Sequence, residues 1–261
     1  MSKFNNIKGL LIDLDGVLYV GDQVIDGATQ VINQLHASNM PCRFITNTST
    51  LSLNGLQHKL AKLGFDIPST EIISAPQAAL LYLAKQPELV CRLLLAENVK
   101  QDFLRFPQSD QNVTHIVIGD IGDKWTYTLL NELFVNVMQG AKIIAIHKNR
   151  FWQTEHGLQM DIGGFISALE YATGHQAMII GKPSTDFFKV ALEDIGLQAH
   201  EVMIIGDDID ADVGGGQQAG LQGVLVRTGK YRESYVSQSG VKPDLVMNSI
   251  KDLPQVLALN R

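Results

Sequence analysis

Four short polar clusters, each closing an apolar run, carry the residue types that could do chemistry in this chain. They are Asp13-Leu14-Asp15-Gly16-Val17, Thr46-Asn47, Gly181-Lys182-Pro183, and Gly206-Asp207-Asp208 with Asp212 four residues beyond. In an open parallel sheet, ligands sit beyond the carboxyl ends of the strands, so clusters placed there converge when their strands are neighbours. Asp13, Asp15 and Asp207 would then crowd one crevice. Two unit charges about 4 Å apart repel by about 4 kcal/mol at an effective dielectric near 20, so such a crevice calls for a cation. Hard oxygen ligands, with room left for waters and a phosphate oxygen, favour magnesium. Lys182 adds a fixed positive charge and Thr46 a hydroxyl donor. With the loop amides these make a pocket for a phosphoryl group.

Asp13 and Asp15 are two positions apart, and in an extended chain such residues share a face. One carboxylate could attack phosphorus to give an acyl phosphate, splitting a hard displacement into two easier ones. The other could protonate the leaving oxygen and later take a proton from water. Gly16 permits the sharp exit from the strand. Singly, each cluster has an ordinary reading. A D-x-D-G segment is a turn, Thr46-Asn47 a helix cap, Lys182-Pro183 an exposed loop, and the acidic run 206–212 a helix start favoured by the dipole. That run also lacks the closing Glu of a calcium loop. Four such clusters in this order, at four strand ends, make the catalytic reading.

The elements that must position them are visible as alternating apolar runs and helix-period segments. Residues 9–13, 42–46, 177–181, 202–206 and 223–226 read as buried strands, with 244–249 as a last one. Helices are expected over 28–38, 53–64, 185–195, 210–219 and 251–259. This alternation predicts an α/β fold built on a parallel sheet. A second series fills the middle: strands at 92–96, 115–119 and 142–147, helices near 126–138 and 164–173, and a hairpin over 151–160. Its edges fall at the turns Ser74-Ala75-Pro76 and Thr173-Gly174-His175.

The chain has 261 residues, 45% hydrophobic and 18% charged, with a net charge of −6. That is enough for one large domain or two moderate ones. An acidic chain without a Lys/Arg run gives no reason to expect nucleic acid. No apolar stretch approaches the roughly 20 residues that span a bilayer, and the first residues lack a signal-peptide pattern, so no membrane partner is expected and a cytoplasmic location is. Cys42 and Cys91 sit in strand-like runs and read as small buried hydrophobes, neither disulfide nor nucleophile. His115 and His156 have no metal-type spacing. Lys124-Trp125 reads as a surface feature or a dimer contact. The stretch His147-Lys148-Asn149-Arg150-Phe151-Trp152 reads either as a substrate-facing loop or as a solvated hairpin with one aromatic tucked inside.

The four clusters resemble the four motifs of the haloacid dehalogenase superfamily. Ile205-Gly206-Asp207-Asp208 with Asp212-Val213-Gly214-Gly215, and Arg227-Thr228-Gly229-Lys230-Tyr231, resemble its subfamily IIA, the NagD-like branch, as do Ala145-Ile146-His147-Lys148 and Ala168-Leu169-Glu170-Tyr171-Ala172-Thr173. The resemblance spans nearly the whole chain. It implies a Rossmann-like catalytic core, residues 1–75 and 177–261, with an inserted α/β cap, 76–176, that sets substrate specificity. It implies Asp13 as nucleophile and metal ligand, Asp15 as general acid and base with its main-chain carbonyl on the metal, and Asp207 as the third ligand. Thr46 and Lys182 would bind phosphate with Asn47 beside them, and Asp208 and Asp212 would support. His147, Lys148, Asn149 and Arg150 are the candidate substrate-facing cap residues. The expected activity is a magnesium-dependent phosphatase acting on a small phosphorylated metabolite. The rival readings are a phosphotransferase or mutase using the same phospho-Asp13, a phosphohistidine or phospholysine protein phosphatase, and a non-catalytic binding module, whose mark would be loss of Asp13, Asp15 or Lys182. A homodimer formed through the cap is also implied. Asp26-Gly27-Ala28 lacks the Pro common in the branch, and Asp161-Ile162-Gly163-Gly164-Phe165 lacks a Pro or Thr before the cap helix. Both departures bear on substrate contacts, not on the core chemistry.

Overall fold

The run GLLID forms the first strand, β1 (Gly9–Asp13), buried at every position. A strand without polar alternation has both faces covered, which places it inside a parallel sheet. A short hairpin follows, β2 (Tyr19–Val20) and β3 (Gln23–Val24), then α1 (Ala28–Ala37), β4 (Cys42–Thr46), α2 (Leu53–Lys62) and β5 (Ile72–Ser74). The middle of the chain runs α3 (Ala75–Leu83), β6 (Cys91–Leu94), α4 (Glu97–Lys100), β7 (His115–Ile118), α5 (Tyr127–Met138), β8 (Lys142–Ala145), the hairpin β9 (Phe151–Thr154) and β10 (Gly157–Met160), α6 (Gly163–Thr173) and β11 (Met178–Ile179). The rest is α7 (Thr185–Ile195), β12 (Val202–Gly206), α8 (Gly215–Gln218), β13 (Gln222–Val226), α9 (Glu233–Ser239), β14 (Leu245–Met247) and α10 (Leu253–Val256). The structure, a computed structural model, describes residues 4, 6–149, 151–154 and 157–258, with the backbone alone at 151–154 and 157–158. Among the described residues no helix is long and apolar enough to cross a membrane.

The chain divides into two units, residues 1–46, 54–73 and 182–261 in the first, and 47–53 and 74–181 in the second. The first holds a six-stranded sheet ordered β14-β13-β12-β1-β4-β5. β1 lies between β12 and β4, with Ile12 opposite Ile205 on one side and Phe44 on the other. Around it, α1 buries Ala28, Val31, Ile32 and Leu35 at helical spacing. Helix α7 buries Phe187, Phe188, Val190 and Ala191. It begins at Ser184, whose hydroxyl accepts from the Asp186 amide, and ends at left-handed Gly196.

The second unit has a four-stranded parallel sheet, β11-β8-β7-β6. Ile116, Ile118, Leu133, Val137, Ile143, Ile166 and Leu169 form its core under α5 and α6. The hairpin expected over 151–160 is present in the backbone, Phe151 opposite Met160. Cys42 and Cys91 are free buried thiols, pushed up by burial to about 12 and about 11.

Of the elements that differ from the sequence reading, three bear on the sheets and the site. The run 177–181 was expected as a strand beside the catalytic strands. It shortens to β11 and pairs with β8 in the second sheet. Strand β5 has three residues, too few for a periodic pattern to show. The helix expected over 210–219 divides into a π-helical turn, Ile209–Gly214, followed by α8. The Asp212 and Val213 amides both reach the Asp208 carbonyl, at 3.0 and 3.3 Å, which widens the turn. Such turns recur at functional sites.

Burial makes a direct stability prediction. Leu11 is fully buried in the central strand, whereas Val246 on edge strand β14 is 40% exposed. Leu11→Ala should lower the unfolding free energy by about 3 kcal/mol, and Val246→Ala by less than about 0.5 kcal/mol, measured by urea denaturation.

Candidate active site

The carboxyl ends of β1, β4 and β12 deliver Asp13, Thr46 and Asp207 to one edge of the six-stranded sheet, because these strands are parallel neighbours. Asp13 is the last residue of β1 and is buried, as are Thr46 and Asp207. The chain turns immediately after Asp13. The Leu14 carbonyl accepts from the amides of Val17, Leu18 and Tyr19, and the Gly16 amide donates to the Tyr19 carbonyl at 2.6 Å. The extended geometry that would put Asp13 and Asp15 on one face therefore stops at Asp13, and Asp15 is exposed at the turn.

Lys182 ties the buried charges together. Its ammonium donates to Asp13 Oδ1 at 2.7 Å and to Asp212 Oδ1 at 2.6 Å, with all three side chains almost fully buried. Asp212 Oδ2 accepts from the Asp208 amide at 3.1 Å. Asp208 itself caps the π-helical turn, its Oδ1 accepting from the Asp210 and Ala211 amides at 3.1 and 2.9 Å. Of the two residues expected to support the site, Asp212 lies in the charged cluster and Asp208 holds the turn that presents it.

Asp207 is gripped by a loop that the sequence reading quoted but assigned no role. After β13, the Lys230 amide donates to Asp207 Oδ2 at 2.6 Å, and the Thr228 hydroxyl donates to the Gly16 carbonyl. Gly16 (φ +91°) and Gly229 (φ +58°) close over the same carboxylate, and a β-carbon on either would run into Asp207 Oδ2. Both positions thus require glycine twice over, by backbone conformation and by space. The Lys230 ammonium is exposed and lies 3.8 Å from Asp208 Oδ2. The signal that could have found this loop is its place: it follows β13, the neighbour of β12.

The electrostatics follow from burial. Burial pushes the Asp13 carboxyl up to about 8, against the pull of Lys182 and helped by the charge of Asp212. Asp207 is pushed up to about 6 by burial, offset by the Lys230 amide. Burial favours a neutral Lys182, but Asp13 and Asp212 outweigh it and hold the ammonium above its ordinary value. With one buried ammonium among three buried carboxyl groups, ionising all three leaves an excess of negative charge.

That excess fits a cation. One oxygen from each of Asp13, Asp207 and Asp212 lies within 4.8 Å of the others. Asp207 Oδ1 is buried with no hydrogen-bond partner among the described residues, an arrangement that asks for a ligand. Each carboxylate pair at that distance repels by about 3 kcal/mol at an effective dielectric near 20. The donors are all hard oxygens, suited to a divalent cation.

Asn47 falls in the second unit, where its Oδ1 packs close to Gly181. Of the candidate cap residues, His147 is buried with Nδ1 3.9 Å from Asp161 Oδ2, and Lys148 is ion-paired with Glu170. The Asn149 carbonyl accepts from the Gly163 amide at 3.0 Å. Arg150 lies outside the described residues, as does His156.

Comparison with known proteins gives the family. The profile of the haloacid dehalogenase-like hydrolases matches residues 10–105, and a HAD-hydrolase-like profile matches residues 179–253. The chain is 39% identical to haloacid dehalogenase-like hydrolase domain-containing protein 2 of Bos taurus, over 93% of each chain. It is 37% identical to human phospholysine phosphohistidine inorganic pyrophosphate phosphatase, over 96% of this chain and 94% of the relative. Among solved structures, a p-nitrophenyl phosphatase from Archaeoglobus fulgidus superposes with a TM-score of 0.87 at 28% identity, covering 96% of this chain and 99% of that one. NagD from E. coli shares the fold at a TM-score of 0.84 and 21% identity, covering 94% and 98%. The chain therefore belongs to the haloacid dehalogenase-like hydrolases, in the subfamily IIA branch that holds these phosphatases, and is a hydrolase of that class.

Proposed function

We propose that this hydrolase is a magnesium-dependent phosphatase that cleaves a small organic phosphate monoester through a phosphoryl group carried transiently on Asp13. The observation that carries the reading is the buried Lys182 ammonium bonded to both Asp13 and Asp212, beside the unpartnered Asp207 Oδ1. A carboxylate kept next to a fixed cation, in a pocket with excess negative charge, suits attack on a phosphoryl group once a divalent ion is bound.

In this reading Asp13, Asp207 and the main chain at Asp15 would hold magnesium, which would neutralise charge on the phosphoryl oxygens. An Asp13 carboxylate oxygen forms a bond to phosphorus as the bond from phosphorus to the leaving oxygen breaks. Exposed Asp15 gives that oxygen its proton. Asp15, now a carboxylate, takes a proton from water as the water oxygen bonds to phosphorus and the phosphorus–Asp13 bond breaks. Lys182 and Thr46 hold phosphate oxygens, and Asn47 is proposed beside them. The second unit serves as the cap that selects the leaving group. Because relatives at 36–37% identity bear names for phospholysine and phosphohistidine phosphatases, phosphoramidates belong in the substrate panel with sugar phosphates, nucleotides, pyridoxal phosphate and an aryl phosphate.

Asp13→Asn should lower phosphate release from the best substrate by about four orders of magnitude while the protein stays folded, and chelator should abolish release by the unaltered protein. Phosphate that appears undiminished in Asp13→Asn, or in excess chelator, would sink the mechanism. Substrate consumption that rises with added alcohol acceptors while phosphate release falls would move the reading to phosphotransfer.

Lys182→Ala leaves buried carboxylates without their counter-ion and should cost about 3–5 kcal/mol of stability as well as turnover, measured by denaturant titration.

The proton balance gives a third expectation. In the metal-free protein the raised carboxyls of Asp13 and Asp207 favour the fold at low pH, and that contribution fades as pH rises through about 6 and about 8. Magnesium takes the place of those protons. Its binding should therefore tighten as pH rises to about 8 and then level off. The magnesium-induced rise in Tm should be larger at alkaline pH than at mildly acidic pH, as followed by thermal melts.

A further inference from the structure

The turn that carries Asp15 is closed by Tyr19. The Tyr19 carbonyl accepts from the Gly16 amide at 2.6 Å, and the Tyr19 amide reaches the Leu14 carbonyl at 3.4 Å. Asp15 and Tyr19 also face each other across an isolated backbone bridge. The position of Tyr19 therefore sets the position of Asp15. The hairpin that begins at Tyr19 has little packing of its own. Val20, Gln23 and Val24 are exposed, and a two-stranded hairpin is marginal in water without further support. The Tyr19 side chain, 1% exposed, supplies its buried anchor.

That anchor is held from another element. The ammonium of Lys59, on α2, lies 4.5 Å from the centroid of the Tyr19 ring. A cation over an aromatic face is attracted by the ring quadrupole, more strongly where water is excluded. Lys59 is half-buried, and α2 carries no Asp or Glu that could draw the ammonium away. Burial raises the Tyr19 phenol above its ordinary pKa, and the charges of Asp15 and Asp13 add to the rise. The phenol is thus a neutral group beside both carboxyls, with a cation on its ring. A side chain that hands a proton to a leaving oxygen must lie within hydrogen-bond reach of it, and a misplacement of about 1 Å can cost about a hundredfold in rate.

We propose that Lys59 is a positioning residue: its ammonium, set on the Tyr19 ring, fixes the turn that holds the Asp15 carboxyl in place as proton donor to the leaving oxygen. The inference rests on the reading of Asp15 as that donor. Lys59 acts through Tyr19 and needs no contact with the substrate.

The test compares p-nitrophenyl phosphate with p-methylphenyl phosphate on the full chain with magnesium. The nitrophenolate leaves readily without a proton, whereas the methylphenolate is a much stronger base and needs one. Asp15→Asn should widen the kcat/KM preference for the nitro compound by about a hundredfold. Lys59→Met, which keeps the apolar stem, should widen it by about tenfold. Lys59→Arg, which keeps a cation on the ring, should restore the preference of the unaltered protein. A second readout needs no turnover. Deuterium exchange at the amides of residues 16–19 should be about tenfold faster in Lys59→Met and not in Lys59→Arg. Unaltered exchange at 16–19 in Lys59→Met overturns the proposal, as does an unaltered preference in that variant where Asp15→Asn widens it. Equal loss of both substrates in Asp15→Asn overturns the donor reading itself. The two failures are distinguishable, because the exchange rates do not depend on the chemistry.

Discussion

Everything at the candidate active site depends on one buried ammonium. Lys182 reaches Asp13, 169 residues away in sequence, and Asp212, 30 residues away. A lone lysine would not stay charged at such depth; Asp13 and Asp212 hold it so, while burial still pushes the Asp13 carboxyl up to about 8. Each group is stable there only because the others are. The Lys182 cluster is also incomplete as a neutral system, since one cation faces three acids. The fold gathers acidic groups with part of their compensation unmet, which suits the divalent cation and phosphoryl group proposed for this site.

The surrounding backbone serves that cluster. β1 ends at Asp13 because the chain must leave the sheet there, and left-handed Gly16 allows it to do so against Asp207. The loop after β13 arrives from the other side and donates an amide to Asp207 Oδ2, which fixes the carboxylate and leaves Oδ1 unpartnered. The widened turn after β12 presents Asp212, whose Oδ2 accepts from the Asp208 amide and whose Oδ1 meets Lys182. A regular α-helix there would present its side chains at a different angle. The paired Asp208 caps hold the wider turn. Precision at the site thus comes from turns and glycines at strand ends, while the strands supply rigidity.

Much of this was legible in the chain. Uninterrupted apolar runs such as GLLID and VMIIG state that a strand is covered on both faces, and alternation with helix-period segments states that the sheet is parallel. Polar residues closing such runs can only lie at the sheet's carboxyl edge, so Asp13, Thr46 and Asp207 were readable as a group. Lys182 was readable too, though for a partly mistaken reason: the run before it pairs with β8 in the second sheet. Two residues of strand cannot announce which sheet they join, because both sheets offer apolar parallel partners.

What the sequence by itself determined was local: which segments are strands or helices, which residue types end them, and hence the class of chemistry their convergence would support. Those properties follow from periodicity and side-chain chemistry within a few residues. What only the tertiary structure decided were matters of long-range pairing. It separated the role of Asp212 from that of Asp208, exposed Asp15 while burying Asp13, and brought the Thr228–Lys230 loop onto Asp207. These outcomes depend on the direction in which each turn sends a side chain and on which strand lies beside which. Such choices are made by packing across hundreds of ångströms of contour length, and no local stretch of sequence encodes them.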